Sequence, residues 1–302
     1  MSAGVGISIL VLTRNEERNL PGCLKSVAWS DDVVVYDSLS TDATPSIARH
    51  HGARVVQRPF DNWAAHQNWG LEHIEFRHPW IFYIDADERV TPELERSMRA
   101  AVADPGGRVA FRIRRRDFYL GTWLRHVQTT PYYLRLFRPE RMRYERLVNP
   151  VSIVDGEVGV IPGYLDHFPF SKGLGQWLER HNGYSTFEAR QILENRRQGQ
   201  AGVSLARALL ARDFHERRYH QKELFYRAPF RPLLKWLLLY VGKGGFLDGR
   251  AGLSYATLQA FYEYMIVLKV RELEARAQEG RPEQAGADVG SLRQTASRKA
   301  DP

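Results

Sequence analysis

The sequence predicts an α/β fold, with a doubly wound parallel sheet in the first part of the chain and a helical region after it. Three observations carry this expectation. Short β-rich runs at residues 7–12, 32–37, 53–57 and 80–85 alternate with segments of helical spacing, as in a parallel sheet covered by helices. Polar and acidic residues follow several of these runs, at the carboxyl edge where open α/β sheets bind ligands. After residue 172 the strand pattern stops and helical periodicity takes over.

Each element has its own signal. Residues 7–12 are too few and too β-branched to be a signal peptide, and no basic segment precedes them, so they read as the first strand. Thr13, Arg14, Asn15, Glu16 and Glu17 form a polar loop facing ligand. Leu20, Cys23, Leu24 and Val27 then recur at helical spacing. The second strand ends on Asp37. Thr44 as N-cap with Pro45 at the first helical position starts a helix through His50, and Gly52 ends it. Residues 62–71 read as a helix that turns His66 and Gln67 towards the cleft.

The strand at 80–84 (Trp80, Ile81, Phe82, Tyr83, Ile84) runs directly into Asp85 and Asp87. Two close carboxylates repel each other unless a cation compensates. Mg²⁺ or Mn²⁺ suits them, because these ions prefer hard oxygen ligands and often combine one or two carboxylates with substrate phosphates. Thr91, Pro92, Glu93 and Glu95 start the next helix, which residues 104–107 break. Alternation at 109–114 and 133–138 predicts two further strands, and residues 151–154 and 159–161 read as a hairpin about Asp155 and Gly156. Helices are expected at 177–194, 203–218, 230–241 and 253–278, followed by a disordered Gly/Pro/Gln/Ala/Ser-rich tail.

Composition narrows the function. The 302 residues allow one large domain with an appendage, and the single Cys23 excludes an intramolecular disulfide framework or a cysteine metal cluster. No apolar run approaches the ~18 residues of a bilayer span, which places the expected site of action in the cytoplasm. The net charge is +8, with eleven arginines between Arg108 and Arg146. Such a patch suits anionic lipid headgroups or a phosphorylated substrate; nucleic acid is not indicated, since finger spacing and an RNP-like run are both missing. The apolar stretch 233–241, near Arg227, Arg231, Lys235 and Lys243, is expected either to be buried in a core or homo-oligomer, or to lie at the inner face of the cytoplasmic membrane.

The first β–α turn has no glycine fingerprint, which argues against a dinucleotide fold, and no Gly/Lys-rich phosphate loop, which argues against a nucleotidyltransferase. Four motifs in order instead resemble the family 2 glycosyltransferases, and more narrowly the lipopolysaccharide-core heptose β-glucosyltransferase group. They are Leu12-Thr13-Arg14-Asn15-Glu16-Glu17 with Leu20, Tyr36-Asp37-Ser38 with Ser40, Asp42 and Thr44, Trp69-Gly70-Leu71, and Ile84-Asp85-Ala86-Asp87-Glu88. The likeness continues through Leu134-Arg135-Leu136-Phe137-Arg138 and through Gly244 to Leu253.

This resemblance implies a GT-A mixed sheet with a helical C-terminal extension. Residues 1–170 would be the catalytic domain, with donor half 1–104 and acceptor half 105–170; residues 171–278 would be helical and 279–302 the tail. It further implies an inverting, Mg²⁺- or Mn²⁺-dependent enzyme that moves a sugar from a nucleotide-sugar donor to a lipopolysaccharide-core, glycolipid or oligosaccharide acceptor. By residue, Thr13, Asn15 and Glu16 would line the nucleoside pocket with Gln67 near the cleft, and Asp37 would hold the base. Asp85 and Asp87 would hold ribose, diphosphate and metal, and Arg135 and Arg138 would lie near phosphates. Relatives carry His-Glu after the Leu-Phe-Arg strand, with that Glu as base, where this chain has Asn149-Pro150. A Gly-Gly-Trp-Tyr-Pro-Asp region is likewise replaced by residues 128–133. Glu145, Asp117 and Asp155 are the substitute bases, with Glu145 favoured; the alternative is a catalytically impaired scaffold or membrane-binding protein.

Overall fold

The computed structural model describes residues 6–129, 132–145, 151–197, 204–210 and 214–279. The chain divides into two units. One comprises the chain up to Trp123 with Thr129–Leu174; the other comprises Leu124–Gln128 and the chain from Gly175. Asn149, Pro150 and Pro131, on which the departure from the family pattern turns, lie outside the described residues, as does the tail beyond Glu279.

Among the described residues, the first unit is built on a nine-stranded mixed sheet. Strands β1 (Ile7–Thr13), β2 (Val33–Asp37), β3 (Arg54–Gln57) and β4 (Trp80–Asp85) are parallel, in the spatial order β3-β2-β1-β4. Every residue of β1 is buried, because helices cover both faces. Ile9 and Val11 pack with Leu20, Cys23 and Leu24 of α1 (Leu20–Val27) and with Ala48 of α2 (Thr44–His50). Leu10 and Leu12 face Ala64 of α3 (Trp63–His73) on the other side. The chain leaves β1 towards β2 and β3, then crosses back to β4 on β1's opposite flank. That reversal opens a crevice at the carboxyl ends of β1 and β4, where Leu12 pairs with Asp85.

Beyond β4 the sheet becomes mixed. β5 (Glu88–Val90) leads into α4 (Pro92–Ala103), whose cap is Thr91 accepting from Leu94 N at 3.2 Å. Then come β6 (Arg108–Tyr119), the short β7 (Thr122–Trp123), β8 (Tyr132–Phe137), β9 (Met142–Glu145), β10 (Val151–Val154) and β11 (Glu157–His167). β8 is antiparallel to β4 and β6, whereas β11 runs parallel to β6 and antiparallel to β5.

Two sequence expectations fail here. Residues 151–154 and 159–161 are not two arms of one hairpin: β10 pairs with β9 in a separate sheet, and β11 joins the large one. Thr44 is not an N-cap, since Ala43 occupies that position without a side-chain cap. The Thr44 hydroxyl instead donates to Asp42 Oδ1 and accepts from Glu16 N.

The second unit is helical: α5 (Gly173–Arg197), α6 (Leu205–Leu210), α7 (Phe214–Arg227), α8 (Arg231–Leu237) and α9 (Gly249–Gln278). A π-helical turn extends α8 over Leu238–Gly242. Arg231 and Glu263 form a buried pair at 3.0 Å between α8 and α9. The glycines after α8 have a steric reason: a Cβ on Gly252 would fall 1.9 Å from the Gly245 carbonyl oxygen. Asp248, between them, accepts from the amides of His126 at 3.0 Å and Val127 at 2.8 Å. Among the described residues, no helix is long and apolar enough to cross a membrane.

Backbone cannot yield to a new methyl as a side-chain tip can. Gly252→Ala should therefore cost about 1–3 kcal/mol or more, seen as a lower midpoint for the second unit in calorimetric unfolding. Gly107→Ala, where a Cβ would meet nothing within 4 Å but φ is +83°, should cost only about 1 kcal/mol.

Candidate active site

The crevice between β1 and β4 is lined by two loops that hold each other. Asn15, in the left-handed region at φ +52°, donates its amide to Ser40 Oγ at 2.8 Å and accepts Thr41 N at 2.8 Å. Glu16 N donates to Thr44 Oγ1 at 2.8 Å, and Glu17 N to Asp42 Oδ2 at 3.2 Å. The polar residues after β1 and β2 thus form one braced wall. Lys172, from the segment after β11, joins it through Glu16 Oε1 at 2.8 Å and the Asn15 carbonyl at 2.6 Å.

Asp37 anchors that wall. Its carboxylate accepts from Thr13 Oγ1 (2.9 Å), Ser40 Oγ (2.5 Å), Ser40 N (2.9 Å) and Gln57 Nε2 (2.9 Å), and it is fully buried. Four donors fill the lone pairs expected to hold a base. Asp37 and Thr13 are thus buried in the wall itself, and Asn15 is the exposed member of the set.

Behind the wall, His66 stacks on Tyr36 at 4.2 Å. Arg58 Nη1 lies 3.1 Å from His66 Nδ1, and Ser38 Oγ lies 3.3 Å from Nε2. A guanidinium only donates, so Nδ1 carries the lone pair and Nε2–H points to Ser38. Burial, with the Arg58 charge, pushes the imidazole down to about 4. Gln67, on the same helix, is buried.

The acidic end of β4 is held by a buried charge cluster. Asp85 accepts from Tyr83 Oη at 2.9 Å and Arg135 Nη2 at 3.3 Å. Glu88 accepts from Arg135 Nη2 at 2.8 Å and from the Asp85 amide at 2.9 Å. Arg115 lies 3.6 Å from Glu88 and 3.0 Å from Asp117. Burial pushes the Glu88 carboxyl up, with Arg135 as the chief opposing charge. Cys23 of α1 lies beneath, its Sγ 3.7 Å from the Asp85 carbonyl, and burial raises its thiol far above the usual range.

His167, at the end of β11, faces this cluster. Its Nδ1 is 2.5 Å from Asp117 Oδ1, and its Nε2 is 3.5 Å from Asp87 Oδ2. Burial and Arg115 oppose its charge, but Asp87 and Asp117 prevail and raise its pKa. A histidine tied at Nδ1 to one carboxylate presents its Nε2 in a fixed direction, here towards the second carboxylate, Asp87. Among the described residues, no group of three or more His, Cys, Asp or Glu side chains is set to hold a metal. Two ligands still fit Mg²⁺ or Mn²⁺, which commonly complete their shells with substrate phosphates and water.

Three sequence assignments change. Arg135 is not free for phosphates: it is buried between Asp85 and Glu88 and stacked on Tyr83 at 4.5 Å. Arg138 sits at the other edge of the sheet, over Trp80 at 5.3 Å, because antiparallel pairing carries three residues of β8 about 10 Å back along β4. Asp117 is sealed by His167 and Arg115 at 1% exposure, which suits it to orienting His167. Glu145 is exposed on β9 and pairs with Arg143 at 3.0 Å. Within the arginine-rich stretch, Arg115 and Arg135 point inward and pair with Glu88. His167 and Lys172 were missed. Neither has a motif at short spacing, and only the β11–β6 pairing brings His167 to Asp117.

The family model described as "Glycosyl transferase family 2" matches residues 8–157. The chain belongs to that family. It is thus a glycosyltransferase of GT-A fold. The lipopolysaccharide core biosynthesis glycosyltransferase LpsC of Rhizobium meliloti (strain 1021) is 26% identical over 89% of this chain and 93% of its own length. An uncharacterized glycosyltransferase of Rickettsia bellii is 38% identical over 30% of each chain. Among solved structures, S. aureus TarS 1-349 aligns over 94% of this chain and 95% of its own at 14% identity, with a TM-score of 0.40. Glucosyl-3-phosphoglycerate synthase from Mycobacterium tuberculosis aligns over 46% of this chain and 58% of its own at 21% identity, with a TM-score of 0.34.

Two tests follow from the electrostatics. Arg135→Met leaves Glu88 and Asp85 buried without their cation and should cost about 3–5 kcal/mol; in urea unfolding, Arg135→Met with Glu88→Gln should recover part of it. His66 binds a proton near pH 4 when folded but near its ordinary value when unfolded. Stability should therefore fall by up to about 3 kcal/mol as pH drops from about 6.5 through 4, and His66→Gln should flatten that slope.

Proposed function

We propose that this glycosyltransferase inverts the anomeric centre while moving a sugar from a nucleoside-diphosphate donor to a lipopolysaccharide-core or other lipid-linked glycan, with Mg²⁺ or Mn²⁺ required. The observation that carries the reading is Asp87 facing an Asp117-oriented His167 at the crevice between β1 and β4. The acceptor class draws on the likeness to the Rhizobium meliloti lipopolysaccharide-core enzyme along most of both chains.

Asp87 and His167 would hold the metal, which when bound offsets charge on the departing diphosphate. Asp85, braced by Tyr83 and Arg135, would support the donor end of the site from outside the ligand pair. The loops at 13–17 and 38–44 bind and orient the nucleoside, with their mutual hydrogen bonds made in advance. A base must take the acceptor hydroxyl's proton as the hydroxyl attacks. Asp117 is committed to His167, and of the exposed carboxylates we assign that role to Glu145 on β9.

Isothermal titration with UDP and other nucleoside diphosphates in Mn²⁺ should show binding to the wild type and none to Asp87→Ala. Absence of wild-type binding to every diphosphate would sink the reading. With an active donor found by screening nucleotide sugars, Glu145→Gln should lower kcat by about 10²–10⁴-fold with donor affinity unchanged. Asp117→Asn should instead weaken Mn²⁺-dependent diphosphate binding by about 10–100-fold.

A further inference from the structure

α8 and its π-helical extension turn an apolar face outward. Phe230, Leu233, Leu234, Leu237, Leu238 and Val241 are between 41% and 79% exposed. At 100° per residue they occupy one arc of roughly 140°, and Arg231 and Leu239, outside it, are buried. Phe246 and Leu247, 52% and 62% exposed, add apolar surface in the following turn. The orientation is fixed. The Arg231–Glu263 pair at 3.0 Å ties α8 to α9 about 90° round from the centre of that arc, and turning the leucines inward would break it.

Charge identifies the occupant. From Phe225 to Leu253 the only acidic residue is Asp248, and its carboxylate is buried on the amides of His126 and Val127. Arg227, Lys243 and Arg250 are exposed, and Lys235 is half-buried. A second copy of the chain meeting this face symmetrically would set these cations against each other, and the neighbouring Glu274 of α9 is already paired with Arg196 at 2.6 Å. Anionic headgroups would match both the cations and the apolar arc. Trp236 and Tyr240, their tilted rings 4.8 Å apart, are the residue types that settle at headgroup depth.

We propose that this face of α8, with the 245–248 turn, docks the protein on an anionic lipid bilayer, apolar residues at the acyl boundary and cations at the phosphates. The inference stands apart from sugar transfer, because vesicle binding is read without donor or metal. The full chain should co-sediment with phosphatidylcholine vesicles containing phosphatidylglycerol, and less with phosphatidylcholine alone. Leu233→Glu with Leu237→Glu, both at exposed positions, should lower that binding by roughly tenfold or more with circular dichroism and melting unchanged. Lys243→Glu with Arg250→Glu should remove the preference for phosphatidylglycerol. Failure of the wild type to bind these vesicles, or undiminished binding by the leucine variant, would overturn the proposal. So would a dimer in sedimentation velocity that the leucine variant abolishes while its vesicle binding persists.

Discussion

The buried pairing of Glu88 with Arg135 and Arg115 is the constraint on which the site depends. Asp85, Asp87 and Asp117 converge beside it, and carboxylates that close raise one another's free energy in a low-dielectric interior. Arg135 joins Asp85 to Glu88, and Arg115 joins Glu88 to Asp117. The two guanidiniums therefore hold the acidic edge of β4 and the ends of β6 and β11 in one arrangement. Removing one breaks more than an ion pair, because each serves two anions.

The sheet order explains why these charges meet at one edge. β1 and β4 are parallel neighbours, so Thr13 and Asp85 emerge on the same side. β8 enters antiparallel and brings Arg135 to that edge while leaving Arg138 at the other. β11, parallel to β6, then carries His167 to Asp117. Fold and electrostatics are thus one account, since a slip of one residue in β8 would send Arg135 to the opposite face.

The parallel half was legible because its signals are local. Runs such as Ile7 to Leu12 and Trp80 to Ile84 are strands by composition, and the acids after them mark the ligand edge. The roles of individual polar residues were less legible. Asp37, Arg135 and Asp117 were read as ligand-facing from residue type, yet each is spent on neighbours from distant strands. His167 lay 80 residues from Asp87 in sequence, a separation that only strand pairing closes. The same limit applies to β10 and β11: each run reads as a strand, but which neighbour each pairs with is a tertiary choice.

Cys23 lends the protein an internal clock. It is the only thiol in the chain and is fully buried between α1 and the backbone of Asp85. A thiol reagent reaches it only when α1 lifts from β4, so its labelling rate reports how often the donor-side wall comes apart. Any cysteine introduced on the surface would react first, leaving the native one as a silent background. The packing that keeps the thiol quiet thus makes the chain suitable for single-site spectroscopic probes without prior removal of its own cysteine.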